Sequence, residues 1–303
     1  AVDTTFTMPA QNITVTANFE QTFELTMAVI GEGDTTPAVG THTYPAGSVV
    51  DITAIPSGGC CSFTGWSGDV TGTVNPTTVS MDTNKTVTAN FAARIVYNVD
   101  TEVDYSSIQA AINAAVDWET IVVCTGTYYE NIVFDNRNIT VRSFDPSDSA
   151  IVAATIIDGG GNDSVVWFTG GDTSTLEGFT IQNGSATLHG GGIRIYSSSP
   201  YILGNTITDN AAPNAGGIYI NASSPTITGN TISNNTATSY GGGIDMNDNT
   251  LTTPTITGNT ITNNTAGNGG GIEVVTDSKL YPIDPRPTGW GDVGDTDYRQ
   301  SIP

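Results

Sequence analysis

The chain has 303 residues, 30 acidic against 8 basic, and a formal net charge of −22 at pH 7. That balance argues against nucleic acid, whose phosphates need clustered Lys and Arg, and against an anionic membrane surface. It permits calcium, which takes carboxylate and carbonyl oxygens, and it also serves solubility in a salty or extracellular medium. Short alternating runs of Val, Ile and Thr are strand composition, and 35 glycines suit many tight turns. No apolar run approaches the ~20 residues of a membrane span. The opening AVDTTFTMPA has neither a basic start nor an apolar stretch, so a mature form or a fragment is expected.

Two kinds of repeat organise the sequence. At the N-terminus, FTMPAQNITVTANF (6–19) reappears as VSMDTNKTVTANF (79–91). Only the second copy has a full body before it, which contains YPAGSVVDITAIP and FTGWSGDV. Residues 1–20 therefore read as the tail strands of a preceding copy, and 21–93 as one complete β module. These phrases resemble the divergent internalin-type B-repeat of bacterial surface proteins. The resemblance implies a small β-rich module strung in tandem on secreted proteins. Phe63 and Trp66 are expected in its core, with a sugar-binding Trp as the alternative.

The cysteines, Cys60, Cys61 and Cys124, are too few and odd in number for a disulfide framework. Reduced or half-buried thiols are expected at Cys60 and Cys61, with a strained vicinal disulfide as the alternative. No Cys/His set has zinc spacing, since the only histidines are His42 and His189.

The stretch YSSIQAAINAAV (105–116) reads as the one clear helix, with Ile108, Ala111, Ile112 and Ala115 on one face. Ser106 and Gln109 stand at capping-box spacing. From there to about residue 276 the second repeat takes over. Pro200, Pro225 and Pro254 recur at intervals of 25 and 29, and Ile193, Ile218, Ile244 and Ile272 at 25, 26 and 28. Repeats of about 25 residues with three short strands each predict a parallel β-solenoid, one coil per repeat. In PTITGNTIS, Ile227 and Ile232 point inward, while Thr226, Thr228, Thr231 and Ser233 point outward. Gly229 and Asn230 make the bend. Asn205, Asn230 and Asn259 are expected to form one hydrogen-bonded ladder, and Asn210, Asn235 and Asn264 another. Gly-rich corners at 190–192, 216–217, 241–243 and 269–271 complete each coil. The helix followed by IVVCTGTYYENI resembles the N-terminal cap of right-handed parallel β-helix proteins of the pectate-lyase-like superfamily. The expected fold is all-β: a right-handed parallel β-helix over 94–276, with a capping helix, the B-repeat-type module before it and an irregular segment over 277–303.

Many relatives of that fold cleave acidic polysaccharides, using carboxylate-held calcium and an Arg or Lys base. Aligned coils place Arg194, Tyr219, Asp245 and Glu273 in one outward column. As an enzyme the chain would use Arg194, Asp245 and Glu273; as a binding surface it would use Tyr219 and Arg194. The plainer expectation is a solvated ladder of neighbouring charges. LHGGGIRI (188–195) offers the His and Arg of a polygalacturonase without the Asp segments that should precede them. Thr-x-Thr steps resemble those of some ice-binding solenoids, but Tyr201 and Leu203 interrupt the array. Asn12, Asn84, Asn138, Asn162, Asn183, Asn221, Asn234 and Asn263 each precede x-Ser/Thr. In the tail, Asp292, Asp295 and Asp297 are close enough to share a calcium, without the spacing of an EF-hand loop.

Near-interchangeable coils point to architecture. The expectation is a non-catalytic, extracellular, cell-surface structural or adhesive protein. Its partners would be itself, by head-to-tail assembly through the N-terminal strands, or other surface proteins and glycans. A polysaccharide-binding or -cleaving protein is the alternative.

Overall fold

The computed structural model describes Thr16 and residues 19–248 and 252–276. The chain divides into two compact units, residues 1–93 and 94–303.

The first unit is built on a four-stranded sheet in the order Gly40–Pro45, Thr22–Ile30, Lys85–Ala93, Cys61–Gly68. The central pair is parallel and the outer pairs are antiparallel. Gly33–Thr36, Val49–Pro56 and Thr77–Ser80 form a three-stranded antiparallel sheet. Alternation along Thr22–Ile30, Val49–Pro56 and Lys85–Ala93 gives each of them one buried face, so Leu25, Met27, Ile52, Val87 and Ala89 meet in one cluster. Trp66 is core, with its indole N–H satisfied by the Val74 carbonyl at 3.0 Å. Phe63 packs against it at 5.1 Å between ring centroids. Phe91 is buried, whereas Phe19, its counterpart in the first VTANF, is 92 % exposed. The rest of that first phrase lies mostly outside the described residues. Cys60 and Cys124 are disulfide-bonded, and Cys61 is a buried free thiol that donates to the Glu32 carbonyl. The expectation of a thiol therefore holds at Cys61 and is corrected at Cys60, and no vicinal disulfide forms.

Among the described residues the second unit is a solenoid of six coils built on three stacked sheets, and two of the coils add a fourth strand, Ala211–Asn214 and Thr236–Tyr240, paired in parallel. The first sheet stacks Thr120–Val123, Thr140–Ser143, Thr175–Glu177, Tyr201–Leu203, Thr226–Thr228 and Thr255–Thr257. The second stacks Gly126–Tyr129, Thr155–Asp158, Thr180–Gln182, Thr206–Thr208, Thr231–Ser233 and Thr260–Thr262. The third stacks Ile132–Asp135, Val166–Thr169, Ile193–Tyr196, Ile218–Asn221, Ile244–Asp248 and Ile272–Thr276. Coil-to-coil pairing is parallel and in register, so Ile202 faces Ile227 and Ile227 faces Ile256. Ile207, Ile232 and Ile261 form the matching column on the second sheet. Of these six, the four in the earlier coils are fully buried, and Ile256 and Ile261 in the last coil are 7 % and 8 % exposed. Burial of each such side chain contributes about 1.5–3 kcal/mol. In the first two coils, Phe134 and Phe168 fill the lumen as a stacked pair 4.5 Å apart.

At the N-terminal end the lumen is covered by helix α1 (Ile108–Ala114), with Ile108, Ala111 and Ile112 buried against the core. Its N-cap is Ser107, one residue later than the capping-box spacing suggests, and the Ser107 hydroxyl accepts from the Ala110 N–H. Gln109 does not close a capping box. Its amide accepts from the Val133 N–H and donates to the Val133 carbonyl, docking the helix on the third sheet. The two free N–H groups of the first turn, on Ile108 and Gln109, go to the Glu130 carboxylate at 2.9 Å each. A second short helix, α2 (Ser149–Ala154), was not expected; Asp148 caps it.

Both Asn ladders form. Asn230 Oδ1 accepts from the Asn205 backbone N–H at 2.8 Å and from Asn205 Nδ2 at 3.2 Å. Asn230 Nδ2 donates to the Ile202 carbonyl and to Asn259 Oδ1, both at 2.9 Å. Asn210, Asn235 and Asn264 repeat this arrangement at the next corner. The left-handed residue is not the ladder Asn but the one before it. At the first corner this is Gly204, Gly229 or Gly258, and at the second Asp209, Asn234 or Asn263. The division of labour is physical: a residue at φ near +60° turns the chain, and the next side chain is then aimed inward at the corner's backbone groups.

Asn230→Ala should destabilise the solenoid by roughly 2–4 kcal/mol, because several buried groups lose partners at about 1–3 kcal/mol each. Thr231→Ala, at an exposed strand position, should change stability by less than about 0.5 kcal/mol. Paired urea melts followed by circular dichroism check this; equal midpoints for the two variants would contradict a ladder that matters.

Candidate functional site

The third sheet brings the predicted column together. Register pairs Arg194 with Tyr219, Tyr219 with Asp245 and Asp245 with Glu273. It also adds Trp167 beneath Arg194. Each flanking residue (Ile193 and Ile195, Ile218 and Ile220) points into the lumen, so period two aims the column outward.

Outward here does not mean solvated, which corrects the expectation of a solvated ladder. Tyr219 is 4 % and Asp245 3 % exposed, while Trp167, Arg194 and Glu273 are half-buried. The cause is the corner four residues upstream of each column position: Gly190, Ala215, Gly241 and Gly269, all at positive φ. The chain turns there directly against the column. A Cβ at Gly241 would sit 2.5 Å from the Asp245 Cβ, so this corner needs glycine, although Ala215 makes the equivalent turn before Tyr219.

The His189 ring, one residue before the first of these corners, stacks on Tyr219 with centroids 4.3 Å apart and planes 13° apart. Asn214 Nδ2 lies 3.1 Å from His189 Nδ1. An amide nitrogen only donates, so the neutral ring carries its proton on Nε2. Burial, and then the Arg194 charge, hold His189 below its usual range. The Arg194 guanidinium lies over the Trp167 ring at 4.8 Å. Burial, and then the Glu273 charge, push Asp245 up to about 6. Burial and Asp245 raise Tyr219.

Among the described residues, four buried side-chain atoms have no hydrogen-bond partner: Ser143 Oγ, Trp167 Nε1, Arg194 Nε and Asp245 Oδ1. Three of the four belong to this column. The register does not place Arg194 against the carboxylates, because Tyr219 lies between and two coil steps span about 10 Å. Trp167 was missed by sequence reasoning, although its place between inward Val166 and Phe168 marks it as outward-facing. His189 was noted only as a neighbour of Arg194, and its stacking depends on the loop path. Among the described residues, no group of three or more His, Cys, Asp or Glu side chains is placed to share a metal ion. Asp292, Asp295 and Asp297 lie outside the described residues.

A family model described as right handed beta helix region matches residues 120–284, which is 165 of the 303 residues. The chain belongs to the right-handed β-helix family. A second model, the divergent InlB B-repeat domain, matches this β-helix protein twice at its N-terminus, over residues 1–23 and 23–95. Comparison of the β-helix protein with curated proteins and with solved structures found no match. The chain thus pairs a β-helix with a B-repeat module typical of bacterial surface proteins.

The Asp245 carboxyl supplies a measurable signature. Its folded value, about 6, lies above its ordinary 3.8. Between these values the folded protein holds a proton that the unfolded chain releases, so stability falls as pH rises from about 4 to 6 and stays reduced above. The full penalty is on the order of 3 kcal/mol. Asp245→Asn should raise the melting temperature at pH 7 and remove this step, leaving the variant and the parent equally stable near pH 4. Thermal melts from pH 4 to 7 test it, and parallel curves would show that Asp245 is not the group responsible.

Proposed function

We propose that this protein is a non-catalytic structural or adhesive element of a bacterial cell surface, exported to an oxidising compartment. The observation that carries the reading is the interchangeability of the coils. Over the last three coils Thr-Ile-Thr or Thr-Ile-Ser steps follow one another in register on two sheets, interrupted by Tyr201 and Leu203, and two Asn ladders link the corners. Such a body sets a distance and presents a regular polar surface. The B-repeat module supports a surface location, and disulfide-bonded cysteines fit an extracytoplasmic environment. Self-association is the form of assembly the N-terminal repeat suggests. The closing phrase of the B-repeat occurs once before the complete module, and strands of that kind add to the exposed edge of a second copy.

The second reading, cleavage or binding of an acidic polysaccharide, draws on the column that holds Arg194, Asp245 and Glu273. Sedimentation velocity over a concentration series distinguishes the first proposal. Growth into open chains is expected, favoured by added salt because a net charge of −22 repels like copies. A strictly monomeric species at all concentrations would remove self-assembly. Unsaturated product absorbance from an acidic polysaccharide with calcium, lost in Arg194→Ala, would replace the non-catalytic reading altogether.

A further inference from the structure

Helix α1 ends at Ala114, and the chain reaches the first strand of the solenoid, Thr120–Val123, through a turn over 116–119. The Glu119 N–H closes that turn on the Val116 carbonyl at 3.3 Å. Its third residue is Trp118, at φ +76°. A turn position with positive φ is ordinarily Gly or Asn, and a bulky residue there is an outlier. The indole gains no burial in return. Trp118 is 80 % exposed, and Val116 beside it is exposed as well. Among the described residues the other tryptophans are covered: Trp66 is core and Trp167 half-buried.

The turn is braced on several sides. The Trp118 N–H goes to the Asn138 carbonyl at 2.7 Å. The Glu119 carboxylate accepts from the Val116 N–H at 2.9 Å and from Asn98 Nδ2 at 2.8 Å. Asp100 takes the Thr120 N–H, and Arg137 donates to the Ala115 and Asn113 carbonyls at the end of the helix. Every one of these bonds fixes backbone or a carboxylate, and none involves the indole ring. Strain that its surroundings over-determine points to use at that position. What this turn holds rigidly into solvent is an aromatic face.

We propose that Trp118 is a stacking platform for an uncharged, β-linked pyranose chain. Ring substituents of a gluco-configured, β-linked sugar are equatorial, so each ring face is a patch of axial C–H groups that packs flat on an indole. Such stacking requires an open ring face and no groove. The size fits: an indole offers about 150–250 Å², whereas a stable protein interface needs about 800 Å² per partner. Polar neighbours suit hydroxyls at the sugar's edge. Asn113 and Asn136 are exposed and Asn138 is half-buried, all on segments bonded to or adjoining the turn. Charge selects against an acidic glycan. Asp117, next to the ring, is exposed, the half-buried Arg137 is engaged with carbonyls, and the chain carries −22 overall.

Titration calorimetry and acrylamide quenching of tryptophan fluorescence on the full chain at pH 7 test this with cellopentaose, N-acetylchitopentaose and pentagalacturonate. At least one of the two β-linked neutral sugars should bind about tenfold or more tighter than pentagalacturonate and shield an exposed indole from acrylamide. Trp118→Gly should lower that affinity about tenfold or more, with a melting temperature equal to or above that of the parent, because glycine suits φ +76°. Trp118→Phe should keep part of the binding. Shielding in the parent decides the matter should a variant fail to fold. No binding of either neutral sugar at millimolar concentration, equal or tighter binding of pentagalacturonate, or undiminished affinity in Trp118→Gly would each overturn the proposal. So would a clearly lower melting temperature in Trp118→Gly, which would make the ring a structural element. The proposal gives the adhesive reading a ligand. Its failure would leave self-association, read by sedimentation, untouched.

Discussion

In-register pairing of one coil with the next is the constraint from which the rest of the solenoid follows. Parallel strands about 4.8 Å apart place every side chain directly against its counterpart one coil away. Inside, that geometry requires apolar side chains of matching shape, and Ile202, Ile227 and Ile256 supply it. At the corners strand pairing stops, and backbone N–H and C=O groups turn inward with no strand partner. Asn is the residue that solves this locally, because one amide both accepts and donates. Asn230 takes the Asn205 N–H and gives to the Ile202 carbonyl. The ladder thus continues the hydrogen bonding of the sheets around the bend, and a coil lacking its Asn would break both neighbours.

The same register acts on the outside, where it has the opposite consequence. Stacking is imposed whether or not the stacked groups are complementary. On the second sheet the outer positions are mostly Thr, Ser or Gln, and neighbours are interchangeable. On the third sheet they are Trp, Arg, Tyr, Asp and Glu, with no two alike. A fold whose local rules agree everywhere else departs from them here, which is the pattern expected of a working surface. The glycine corners that close over this column support the same view, since they bring charged groups out of water instead of leaving them at the rim.

What could be read from the sequence follows the range of the interactions. Ile spacing and the two Asn rows repeat once per coil, so lumen, coil length and ladders were all visible. The left-handed residue at each corner was not, because Gly229 and Asn230 both suit a turn and only the path of the chain separates them. The helix position was visible but its cap moved by one residue, since Ser106 and Ser107 are equally good caps and Glu130, 22 residues from Ile108, decides the first turn. The oxidised state of Cys60 and Cys124 has no local signature, and an odd count hides it. The column's members were legible from alignment, but its burial was not. Burial comes from the corner segments, whose course over the sheet depends on tight glycine contacts that have no periodic signature.

Arg194 shows why the column has to be read as a whole. It is the one basic residue in the coils from Thr155 to Thr276, set in an acidic body that attracts it generally but pairs with it nowhere in the column. Its nearest carboxylate in register is two coils away, behind Tyr219. Stacking on Trp167 contributes about 0.5–2 kcal/mol, which offsets only part of the cost of withdrawing a guanidinium edge from water. At the other end the imbalance has the opposite sign: Asp245 and Glu273 repel each other with no cation between them. Moving the two ends together would resolve both, and the coil spacing forbids it. The separation that keeps the charges from neutralising each other is set by the solenoid itself, because in-register coils hold Arg194 and Asp245 two steps apart.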